Sequence, residues 1–365
     1  IGPVSKIKKG LGEIKPTIDQ LPLLLYKDRI KTYFSPSWIP SGKLINQINK
    51  INPDIVHLNW VNGGMLRIED ILKINFPIVW TLHDNWLFTG GCHIMWDCLK
   101  YKKECGKCPI LNSEKDNDLS RKIFKRKEKV FQIKRNITVV GVSNWITSCS
   151  KESTLLKNKE HITIPNAIDT SIFKPFDKEK ARNLWNLPSN KKLVLFGAIR
   201  ATSDINKGFQ ELSEALKNIV NNEIELVIFG TDKPETETIR GFKLHYVGQL
   251  HDDISLVTLY SAVDVMVVPS RQESFGQTAS ESMSCGTPVV CFSHTGLLDI
   301  VDHKINGYLA KEKNSSDLAI GIEYILFNKN YQRISEKSRE KIVSNFDSKI
   351  ISTQFINTYK KCLGV

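Results

Sequence analysis

The chain has 365 residues, enough for two domains of ordinary size, and 41% apolar residues supply a packed core. Its net charge is +12, from 51 Lys and Arg against 39 Asp and Glu, which suits a phosphorylated substrate or an anionic membrane surface. No apolar run nears the ~18 residues of a membrane span, no signal-peptide pattern is present, and no nucleic-acid-binding motif accompanies the charge. A cytoplasmic protein with no nucleic-acid partner is therefore expected.

The chain opens on IGPVSKIKKG rather than Met, as a trimmed product or fragment would. The following KKGLGEIK is too charged for a buried strand. A repeated pattern then begins: an apolar β-branched run, a polar or glycine turn, a helical stretch. DIVHLNW (54–60) precedes GMLRIEDILKI, and PIVWTLHD (77–84) enters an irregular Cys/Gly loop. SRKIFKRKEKVFQIKRN (120–136) reads as an amphipathic helix through Ile123, Lys127, Val130, Phe131 and Lys134, either a solvated face or one drawn to lipid headgroups. NITVVGVS (136–143) and HITIPNA (161–167) continue the series.

After Pro175 the pattern restarts with KLVLFGA (192–198), IELVIFG (224–230), LHYVGQL (244–250), VDVMVVPS (263–270), PVVCF (288–292) and GYLA (307–310), each leading to a helical stretch. Such alternation predicts α/β architecture with parallel sheets covered on both faces. Two series imply two doubly wound, Rossmann-like domains, 1–168 and 169–345, with a C-terminal helix in 346–365 packing back on the first. The expected hinge is IPNAIDTSIFKPF. Ligands of such sheets sit beyond the carboxyl ends of the strands, here on either side of a central cleft.

The loop GGCHIMWDCLKYKKECGKCP (90–109) carries Cys92, Cys98, Cys105 and Cys108. Its closing C-x-x-C makes these candidate ligands of a structural zinc ion, with His93 able to replace one thiol. Reduced thiols packing the loop and disulfides are the alternatives.

The richest stretch is SRQESFGQTASESMSCGTPVV (270–290). Ser274, Phe275 and Gly276 would present backbone N–H groups at a helix start, where unpaired amides and the helix dipole favour an anion. Glu273 precedes the turn, and Glu281 can accept hydrogen bonds from vicinal hydroxyls such as those of ribose. The bland alternative makes Glu273 a cap and Glu281 a solvated helix residue.

Glu273 and Glu281 with Ser-Phe-Gly between them resemble the E-x7-E signature of the retaining glycosyltransferases of family 4, which have the GT-B fold. IPNAIDTSIFKP is similar to that family's interdomain segment and GAIRATSDINKGF to its donor-phosphate segment. The resemblance implies transfer of a sugar from a UDP- or GDP-sugar to a saccharide or lipid-linked saccharide, with retention, in cell-surface polysaccharide synthesis at the inner membrane face. It also implies that Arg200 and Lys207 contact the diphosphate, Glu281 the ribose and Glu273 the sugar, with no metal cofactor needed for catalysis. His83, at the end of TLHD, is similar to a family histidine near the sugar; His57 and Asn59 are weaker candidates. A non-catalytic donor-binding subunit and a GT-B epimerase are the alternatives. Two features depart from the family: HTGLLDIV places Leu297, Leu298 and Asp299 after Gly296 where Gly-Gly and Glu are usual, and no strand with a glycine-rich loop is evident before residue 54.

Overall fold

A computed structural model describes residues 14–198, 200–231 and 238–365; most of KKGLGEIK lies outside them. The chain forms two compact units, one of residues 1–164 with 355–365 and the other of 165–354. The boundary at Pro165 falls at the start of the expected hinge, and the tail joins the first unit from Phe355, later than the expected 346.

The first unit holds four parallel strands, β1 (Val56–Leu58), β2 (Ile78–Leu82), β3 (Ile137–Gly141) and β4 (Glu160–Thr163), in consecutive spatial order. Every residue of β2 and β3 is buried, which is why these strands are continuously apolar rather than alternating. Among the described residues no strand precedes β1.

The helix Leu119–Ile133 is capped by Asp118, whose side chain accepts from the Arg121 N–H, and buries Ile123, Phe124, Val130 and Phe131. Its basic face is largely spent within the unit. Arg121 and Lys125 pair with Glu104 at 2.5 and 2.7 Å, and Arg126 pairs with Glu69. Lys127 is fully buried. The last helix, Ser348–Leu363, ends in this unit, where the Tyr359 hydroxyl lies 2.7 Å from His57 Nδ1.

The second unit is a seven-stranded sheet of β5 (Lys192–Gly197), β6 (Ile224–Phe229), β7 (Thr238–Ile239), β8 (Phe242–Gly248), β9 (Val265–Val268), β10 (Val289–Phe292) and β11 (Gly307–Ala310), in the order β11-β10-β9-β5-β6-β8-β7. All pairs are parallel except β7 with β8. From β5 the chain winds outward through β6 and β8, then returns to β9 and winds the other way. The carboxyl ends of β5 and β9 therefore flank a topological switch point, where helices diverge and leave a crevice. Val194, Leu226, Val265, Val290, Leu318 and Ile322 form part of the core beneath it.

Candidate functional site

Two loops meet at that switch point, one after β5 and one after β9. In the first, Asp204 accepts from the Asn206 N–H and sets a single 3-10 turn, Ile205–Lys207, which ends at left-handed Gly208. A Cβ on Gly208 would lie 1.9 Å from the Pro269 carbonyl oxygen, so only glycine allows the loops this contact. Asn206 Nδ2 donates to the Gln272 carbonyl at 2.9 Å, and the Arg271 N–H donates to the Asn206 carbonyl at 2.8 Å. The stitching delivers Lys207 to Glu273, with Nζ 2.8 Å from Oε1. The carboxylate raises the lysine above its ordinary pKa. Both side chains are largely shielded from solvent, so this pair is stronger than a surface one.

Gly276 is the N-cap of the helix Gln277–Ser284, at φ +113°. Its missing Cβ would lie 2.6 Å from Leu297 Cδ2. Gly296 is equally constrained, since its Cβ would stand 2.4 Å from the Ser274 carbonyl oxygen, and its N–H donates to the Glu273 carbonyl at 2.9 Å. This explains the departure in HTGLLDIV: one glycine makes the close approach, and buried Leu297 supports the turn from below while Leu298 is exposed. The Phe275 side chain is buried against Phe346, so only the backbone of that residue is available to a ligand.

Glu281 is 9% exposed, which rules out a solvated helix residue. The Tyr260 hydroxyl donates to its Oε2 at 3.0 Å and Gln277 Nε2 to its Oε1 at 3.1 Å. Burial pushes the carboxyl up despite these bonds. Tyr260 is itself fully buried, and sequence reasoning missed it because it lies in the mostly apolar helix Asp253–Ala262. Arg200 stands beyond β5 with an exposed side chain and a left-handed φ of +58°, a conformation that costs a non-glycine residue about 1 kcal/mol or more.

In the first unit, His83 follows β2 with Nε2 2.9 Å from Asn59 Oδ1. Its ring reaches solvent, yet the protein around it lowers its pKa. His57 is committed to the fold: Nε2 meets Thr81 at 2.7 Å and Nδ1 meets Tyr359. Asp84 is held by the Trp86 N–H and by His93 Nδ1 at 2.6 Å, and His93 Nε2 meets Ser35 Oγ at 2.8 Å. With both ring nitrogens engaged, His93 does not stand in for a thiol. All eight cysteines are free in this structure, and Cys92, Cys98, Cys105 and Cys108 line one cavity. Among the described residues no group of three or more Cys, His, Asp or Glu side chains is already gathered as a metal site, and no helix is long and apolar enough to cross a membrane.

Residues 177–342 match the family model described as glycosyl transferases group 1. An uncharacterized glycosyltransferase of Methanocaldococcus jannaschii is 29% identical over 50% of this chain and 48% of its own length. The N-acetyl-alpha-D-glucosaminyl L-malate synthase of Bacillus anthracis is 24% identical over 63% of this chain and 61% of its own. The chain thus spans about half to three fifths of the length of these relatives. Among solved structures, sucrose-phosphate synthase from Thermosynechococcus elongatus superposes with a TM-score of 0.66 at 23% identity, covering 90% of this chain and 81% of that one. Anabaena HepE, solved in complex with UDP and glucose, gives 0.64 at 16% identity, covering 88% of this chain and 81% of that one. Residues 177–342 thus resemble the group 1 glycosyl transferases, and the two α/β units have the GT-B fold.

Proposed function

We propose that the protein transfers a sugar from a nucleoside diphosphate sugar to a saccharide or lipid-linked saccharide hydroxyl, with retention at the anomeric carbon. The observation that carries this reading is the Lys207–Glu273 pair at the switch point, beside the Gly276 N-cap and one helical turn from buried Glu281. Glu281, held by Tyr260 and Gln277, presents an acceptor to the ribose hydroxyls. The 274–276 amides, Lys207 and Arg200 take the diphosphate, so its developing charge meets fixed donors and cations without a metal ion. Glu273 orients the sugar. In a front-face displacement the anomeric C–O bond to the diphosphate breaks as the acceptor oxygen bonds on the same side. The acceptor's proton passes to the departing phosphate oxygen. By the family resemblance, His83 would serve the sugar or that proton transfer.

A role in surface polysaccharide synthesis at a membrane draws less support from the basic helix than its composition suggests, because Arg121, Lys125 and Arg126 are already paired. Calorimetric titration with UDP, GDP and ADP, repeated for Glu281→Ala, tests the site. Binding of one nucleotide, weakened at least tenfold in the variant, is expected. No binding of any of them would overturn the reading.

A further inference from the structure

The four-cysteine loop of the first unit has no part in the sugar-transfer reading and stands independently of it. We propose that Cys92, Cys98, Cys105 and Cys108 bind one structural zinc ion as thiolates.

The four residues come from an irregular loop yet line a single cavity, together with Lys100 and the glycines Gly90 and Gly106. None of the four is paired in a disulfide. The C-x-x-C turn has a fixed shape. Gly106 at φ +148° and Lys107 at φ +44° reverse the chain, and a Cβ on Gly106 would stand 2.5 Å from the Asp116 carbonyl oxygen. The Cys108 N–H donates to Asp118 Oδ2 at 2.8 Å, tying the turn to the cap of the helix Leu119–Ile133.

Backbone amides point at the sulfurs. The N–H groups of Ile110 and Leu111 are directed at Cys108 and that of Gly90 at Cys105. Amides so placed stabilise a metal-bound thiolate, the outer-shell role usual around such centres. Soft sulfur ligands in fours select a tetrahedral ion such as zinc.

The charge around the cavity supplies an independent indication. Lys127 is fully buried, and among the described residues it makes no ion pair; its Nζ donates to the carbonyls of Trp86 and Thr89. Burial lowers its pKa to about 7, and Cys92, Cys105 and Asp84 are its electrostatic neighbours. Four thiolates and one zinc dication carry a net charge of minus two, which would add to Asp84 in favouring the charged lysine. The thiols are not gathered to ligand distance, so loading draws them inward across the cavity they share.

Metal analysis of the full chain purified without chelator tests this. One zinc per chain is expected, lost in Cys105→Ser and Cys108→Ser and kept in Cys362→Ser, a cysteine of the last helix. Should the cysteine variants fail to fold, the wild-type chain reloaded with cobalt(II) decides. Thiolate-to-cobalt charge-transfer bands with a tetrahedral ligand field support the site. A chain that carries no zinc as purified and whose cobalt spectrum lacks those bands overturns it, as does isolation with these cysteines paired in disulfides.

Discussion

The two units solve one problem, covering a parallel sheet, with different means. In the second, the strand order reverses between β5 and β9, and the site residues sit on the loops that leave those two strands. In the first, the described strands run in consecutive order, with no reversal to open a crevice. Its distinctive polar groups instead gather around its loops: the Asp84–His93–Ser35 chain, the four cysteines, and Lys127 reaching in from the helix Leu119–Ile133. Topology supplies a site in one unit, whereas side-chain chemistry holds long loops together in the other.

If that division is right, Lys207→Ala should have the largest effect, lowering sugar transfer by ~10²–10³-fold, as loss of one preorganised donor does. His83→Ala should lower transfer while leaving the dissociation constant for the nucleoside diphosphate within about twofold. Equal loss of nucleotide binding in both variants would break the comparison. Gly276→Ala places a side chain at φ +113° and against Leu297, so it should destabilise the second unit by about 1–3 kcal/mol. A lowered unfolding midpoint in urea would show it, and an unchanged midpoint would contradict the strained cap.

Tyr260→Phe removes one hydrogen bond to Glu281, worth ~0.5–1.5 kcal/mol net. Nucleotide affinity should fall about two- to tenfold by calorimetry, and an unchanged affinity would remove Tyr260 from the site.

The smallest effect is one of pH, and it has opposite signs in the two units. Burial raises Glu281 above its ordinary value of 4.5, so the native second unit binds this proton more tightly than the unfolded chain does. Its stability from this group is present in mild acid and is lost as pH rises through the raised folded value. Glu281→Gln should therefore stabilise that unit at neutral pH while weakening binding. Glu69 in the first unit is desolvated, yet hydrogen bonds from Arg126 and Arg67 bring it down to about 2. Its contribution is present above the ordinary value of 4.5 and is lost as pH falls toward 2. Thermal melts between pH 2 and 8 of wild type, Glu281→Gln and Glu69→Gln separate the two; shifts of the same sign would refute the assignment.

The legibility of each unit follows from the same contrast. Strands β5, β6, β9 and β10 are mostly apolar runs, and Glu273 with Glu281 frames a turn whose residue types have few other uses, so the fold and a candidate site there could be read from the chain. Tyr260 could not, because a tyrosine in an apolar helix looks like core until a carboxylate is found against it. Asn206 was equally silent, since its amide bridges loops separated by many residues. In the first unit, Lys127 and Lys134 fit the helical pattern, yet nothing in that pattern says that Lys127 runs inward to carbonyls rather than outward to solvent. His57 looked available at a strand end, but its partner Tyr359 lies near the opposite end of the chain.

The ion pair at the switch point also sets how an anion is drawn in. With Lys207 already facing Glu273 at 2.8 Å, the two charges act at a distance as a dipole, whose field dies away faster than that of a lone cation. On the proposed donor-binding reading, capture from solution would then fall to exposed Arg200, and Lys207 would take hold only after arrival, by sharing its ammonium between carboxylate and phosphate. Added salt should therefore slow association through Arg200 while leaving the Lys207 contribution almost wholly in the dissociation rate.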